Sequence, residues 1–144
     1  MFFSQNVAEL RQFYLDAWHK YQLKQTLSAL EQQICQVLEQ HPEYHSWLKE
    51  NHLETQFHPE LYGENPFLHM GLHLAIQEQV QTNRPIGIQE LYLKVIQHVK
   101  NLTPHEIEHQ MMEVLAKTLW DAQKNKVAPD ENAYLLACRK IFDK

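Results

Sequence analysis

Along residues 88 to 99 the apolar side chains Ile88, Leu91, Tyr92, Val95, Ile96 and Val99 recur every three or four positions, the spacing that gathers them on one face of an α-helix. The same period runs through most of the chain, and only three glycines interrupt its 144 residues. Alternating apolar and polar positions, the mark of a half-buried strand, do not organise any segment. The predicted fold is all-α: one single-domain helical bundle, residues 1–144, of about six or seven helices. At 44% hydrophobic residues a chain of this length can bury a core without disulfide or metal staples.

Local signals divide the bundle. Val7, Leu10, Tyr14, Ala17 and Trp18 predict a first helix over about residues 5–21. Ser28 with Glu31 forms a capping-box pattern that opens a second helix, running to about residue 40 with Ile34, Val37 and Leu38 inward. His41-Pro42 starts a short third helix in PEYHSWLKE, because proline suits the first helical position and stops the helix before it. Residues 51–64, NHLETQFHPELYGE, have no period and are expected to be a loop. Asn65-Pro66 launches NPFLHMGLHLAIQEQ, to about residue 81; Thr103-Pro104 with Glu106 launches the longest helix, about 104–125; Ala128-Pro129-Asp130 precedes a last one through about residue 142.

The formal charge is −5 and the basic residues are scattered, so the footprint of a nucleic-acid binder is missing. No segment has the apolar length of a membrane span, and MFFSQNVAELRQF lacks the basic and apolar regions of a secretory leader, which predicts a cytoplasmic protein. Cys35 and Cys138 stand far apart with no CxxC, and are expected to be small buried thiols.

The ten histidines are the unusual feature. Three pairs stand at i, i+4: 41/45, 69/73 and 105/109. His41 is expected to be an N-cap before Pro42, which sets the first pair apart. On the helix from Pro66, His69 and His73 share a side with Ile76 and Val80, while Phe67, Leu68, Met70, Leu72 and Leu74 cover most of the rest. A helix apolar nearly all round is a central one. Its buried imidazoles therefore need partners: a carbonyl, a carboxylate, a water or a metal. On the helix from Pro104, His105, His109 and Met112 or Glu113 form a second stripe that continues into Ala116 and Trp120. Two neutral imidazoles one turn apart can share a metal ion, and a carboxylate from a facing helix can complete the shell. The candidate ligands are His69, His73, His105, His109 and Glu113, with His45 as an additional one, and the expected cofactor is zinc or iron.

Other catalytic templates fit poorly. HEIEH, residues 105–109, matches the bare zinc-protease pattern, but Pro104 directly precedes it, Glu108 puts a charge where that pattern is uncharged, and no strand is predicted to align a peptide. Glu106 and Glu108 are better explained as first-turn acids favoured by the helix dipole. A di-iron carboxylate centre needs two Glu-x-x-His motifs, and Glu106 to His109 has no second copy. His109/Glu113 and His69/His73 resemble hemerythrin segments but occur in reversed order. Met111-Met112, Trp18, Trp47 and Trp120 fall at helical spacing and are expected in the core.

In sequence order, SQN with LRQFYLDAW, then HPEYH, NPFLHMGLHLAIQEQ, EHQMMEVLAKTLWDAQ and a late PDENAYL make the chain similar, over nearly its whole length, to a family of short bacterial proteins known as domain of unknown function eighteen-forty-one. The resemblance implies no activity. It does place His45, His69, His73, His109 and Glu113 within the motifs that carry it. Helical bundles of the DinB type that hold a metal on three histidines offer an analogy at the level of fold. Two functional expectations follow: a His/Glu metal site between the helices beginning at Pro66 and Pro104, or a non-catalytic interaction module whose histidines satisfy a polar core layer. The expected partner is a small molecule or a protein.

Overall fold

Proline-led caps and apolar stripes set the elements of the computed structural model, which describes residues 7–49, 52–53 and 65–143. Among these described residues six α-helices and one 3-10 helix follow in order: α1 (Val7–Gln22), α2 (Ala29–Gln40), the 3-10 helix Pro42–Trp47, α3 (Pro66–Thr82), α4 (Ile88–His98), α5 (Pro104–Lys124) and α6 (Glu131–Phe142). Among the described residues there is no strand, as expected of an all-α chain, and no helix is long and apolar enough to cross a membrane. The predicted loop over residues 51–64 lies outside the described residues apart from His52 and Leu53.

The chain divides into two compact units, Met1–Leu74 and Ala75–Lys144, with the boundary inside α3. In the first, α1 and α2 form a hairpin. It closes through Lys24 in the left-handed region, while the Gln25 amide donates back to the carbonyl of Lys20. The α2 start is the anticipated capping box. The Ser28 hydroxyl accepts from the Glu31 amide and the Glu31 carboxylate accepts from the Ser28 amide, and Lys20 of α1 pairs with the same carboxylate at 2.9 Å. Tyr14, Ala17, Ile34, Val37, Leu38, Phe67, Met70 and Leu74 make the core of this unit. Cys35 is also buried there and its thiol donates to the Ala17 carbonyl. Arg11 lies over the Phe67 ring and donates from Nη1 to the carbonyls of His52 and Leu53, which ties the turn after the 3-10 helix to α1.

In the second unit α5 packs on α6, and α4 on both. Ile76, Ile88, Val95, Ile107, Met111, Met112, Leu115, Tyr134, Leu135 and Cys138 are buried. The Asn83 side-chain oxygen accepts from the amides of Gly87 and Gln89 and so caps α4, while Tyr134 donates its hydroxyl proton to Gln79 Oε1 at 2.6 Å. Gly87 stands at φ 105°, a conformation open to glycine at little cost, with Leu135 packed against the position a Cβ would take. Thr103 and Glu106 form the second capping box, and Asp130 caps α6.

Candidate metal centre

The first histidine of the centre is placed by a helix stop. Pro42 offers no amide and disfavours helical backbone in the residue before it, so α2 ends at Gln40 and His41 adopts φ −129°, ψ 68°. The chain bends there, with the His41 amide donating to Leu38 O and the His41 carbonyl accepting from Tyr44. The ring turns inward, is 5% exposed, and stacks on Tyr44 with centroids 4.9 Å apart. His41 holds the N-cap position of the 3-10 helix, as expected, but makes no side-chain cap bond, and the bent backbone sends its imidazole into the interior.

On α3, His69 and His73 lie one turn apart; His73 is fully buried and His69 half-buried. The Nε2 atom of His73 stands 3.1 Å from Nε2 of His41 and 3.1 Å from Nε2 of His69. Three ring nitrogens thus converge within the first unit. Donors held about 2.0–2.1 Å from a tetrahedral zinc ion stand about 3.3 Å apart, so this spacing is close to that of a ligand set.

The protons point the same way. An ionised carboxylate only accepts hydrogen bonds, and Glu43 Oε2 lies 3.1 Å from Nδ1 of His41, so that nitrogen donates. Burial pushes the Glu43 carboxyl up, but the bond from His41, a bond from its own backbone amide and the charges of His41 and His69 outweigh it, and the group stays below the ordinary carboxylate range. When the ring is neutral with its proton on Nδ1, His41 presents a lone pair at Nε2. A single proton on His73 Nε2 can serve His41 or His69 well but not both, whereas a cation accepts all three lone pairs.

His45 differs. Its Nε2–H donates to the Leu38 carbonyl at 2.7 Å, and its ring packs on Trp18 with centroids 4.5 Å apart, leaving Nδ1 as the nitrogen with a lone pair.

In the second unit, His105 and His109 on α5 are half-buried, with ring centroids 4.2 Å apart and ring nitrogens within 4.8 Å of one another. Glu113 is exposed. The buried acid of α5 is Glu108, whose carboxylate accepts from Gln77 Nε2 at 3.1 Å. Burial raises its pKa, partly offset by the Gln77 bond and by the charges of His105 and His109. Glu108, expected as a first-turn acid favoured by the helix dipole, is instead buried beyond the first turn. Glu106 is one: its carboxylate accepts from the Thr103 amide and is held low chiefly by that bond, so the would-be catalytic glutamate of HEIEH is spent on the helix cap. Met111 and Met112 are core residues as expected, while Trp120 is exposed.

The sequence reading missed His41, Glu43 and Glu108. For His41 and Glu43 the available signal was HPE itself: a histidine that terminates a helix, with a carboxylate two residues on.

Fold and site together define an all-helical protein with a buried histidine cluster suited to a metal ion. A family model described as Domain of unknown function (DUF1841) matches residues 6–140, and the chain belongs to that family. Neither the curated proteins nor the solved structures contain a match to it.

Proposed function

We propose that this protein binds a transition-metal ion, zinc or iron, on a histidine centre whose nucleus is His41, His69 and His73. The convergence of three Nε2 atoms in 3.1 Å steps carries the reading. Imidazole nitrogens suit zinc and iron and do not suit magnesium or calcium, which prefer oxygen. On the pairing of histidines in the sequence we extend the ligand set to His105 and His109 of α5. Glu113 and His45, also candidates on sequence grounds, are the weaker members: Glu113 stands in water, and His45 has its Nε2 proton on a carbonyl. The reduced, buried cysteines fit a cytoplasmic setting, and the charge of −5 favours a small molecule or a protein as partner over nucleic acid.

Protein purified without a histidine tag, analysed for metals and melted with and without a chelator, tests the proposal. The expected result is near-stoichiometric zinc or iron and a fall in Tm on chelation, because a ligand bound only by the folded state stabilises it. His41→Ala and His73→Ala should abolish the metal, and His105→Ala and His109→Ala should weaken its binding. If the latter two bind as tightly as wild type, the ligand set is confined to His41, His69 and His73. A metal-free protein whose Tm is unmoved by added zinc or ferrous iron overturns the proposal in favour of a hydrogen-bonded polar layer in an interaction module.

A further inference from the structure

We propose that Glu43 is a positioning residue that sets the metal affinity of the centre by fixing His41 in the tautomer that ligates through Nε2. The inference rests on the metal-binding reading above. An imidazole ligates through a nitrogen that carries no proton, so a free histidine divides its population between two tautomers and must also be held in one orientation. Glu43 does both. Its Oε2 accepts the Nδ1 proton of His41 at 3.1 Å, leaving Nε2 deprotonated and 3.1 Å from Nε2 of His73.

The dyad is local in the chain. Glu43 sits in the first turn of the 3-10 helix that begins at Pro42, so only that proline separates the residue that bears the carboxylate from the residue whose ring it holds. Tyr44, the next residue, stacks on a face of the same ring and also meets His69 edge-on at 5.5 Å. The HPEY segment thus supplies a ligand, the carboxylate that orients it and an aromatic wall. Glu43 itself is 59% exposed on its side chain, so its substitution leaves the hydrophobic core intact. A carboxylate that accepts from the far nitrogen of a ligating histidine also raises the basicity of the ligating one, and loss of such a partner lowers metal affinity by about 10–100-fold.

The test compares wild type, Glu43→Gln and Glu43→Ala by zinc titration against a chromophoric chelator, with the histidine tautomers of the metal-free proteins read from nitrogen-15 shifts. Wild type should bind zinc and show His41 as the Nδ1–H tautomer. Glu43→Ala should weaken zinc binding about 10–100-fold, and its His41 should become a mixture of tautomers. Glu43→Gln keeps an acceptor oxygen without the charge and should fall between the two. Equal zinc affinity in wild type and Glu43→Ala, or a His41 tautomer indifferent to Glu43, overturns the inference while leaving the metal centre standing. Absence of zinc and iron binding by wild type overturns the metal centre, and this inference with it. A purely structural role would lower Tm in the metal-free variants and leave the tautomer as it is.

Discussion

His73 has no solvent exposure and two neighbouring ring nitrogens, so its removal strips a buried polar network rather than a surface group. In metal-free protein, His73→Ala should cost about 1–3 kcal/mol, the range for leaving buried polar partners unmatched. Urea unfolding checks it, and a change near zero would mean that His41 and His69 lose nothing when the central ring goes. Glu31 makes a pH prediction of definite sign. The bond from the Ser28 amide and then that from Lys20 hold its carboxyl below the ordinary value of 4.5, against a smaller opposing effect of burial. A folded-state pKa lowered in this way stabilises fully above the unfolded value, and the contribution is lost as pH falls through the folded one. The Tm gap between wild type and Glu31→Gln should be widest near neutrality and should shrink below about pH 4.5. A gap constant from pH 7 to pH 3 would contradict it.

Helices were more legible than the site they carry. Ser28 with Glu31, Thr103 with Glu106 and the prolines at positions 66 and 104 mark helix starts through nearest-neighbour chemistry, which a sequence displays directly. The side of a helix that is buried depends on what packs against it. On α5 the buried stripe is Ile107, Glu108, Met111, Met112 and Leu115. At about a hundred degrees per residue His105 and His109 flank that stripe and Glu113 falls farther round, which is why a histidine-centred reading took up the exposed Glu113 and passed over the buried Glu108. Ile107, Met111 and Leu115 could have located the stripe. His41 was hidden for a different reason: its orientation comes from a bend that no helical period describes. Turn geometry is also where one small change should matter most. Gly87→Ala places a Cβ 3.3 Å from Leu135 at a φ of 105°, and should destabilise by about 1–3 kcal/mol, the cost of forcing an ordinary residue into such backbone. Thermal melts would show it; an unchanged Tm would mean that the turn relaxes freely.

Across the whole chain, the boundary between the two units cuts α3 into nine residues on one side and eight on the other. Isolated helices shorter than about 12–15 residues are marginal in water, so neither part of α3 is expected to persist without the other. From this, and from the sequence reading of one domain, we expect cooperative unfolding of the full chain. Trp18 and Trp47 report on the first unit and Trp120 on the second. Variants retaining one tryptophan each should give coincident urea transitions, and two separate midpoints would establish independent domains. The bend at His41 has a further consequence, in the lengths its descendants can tolerate. One residue both ends α2 and delivers the central imidazole's neighbour, so there is no slack between the scaffold and the ring it carries. A single insertion or deletion between Leu38 and Pro42 would swing the ring by about a hundred degrees. The join between α2 and the 3-10 helix is therefore expected to keep its register in every member that retains the centre.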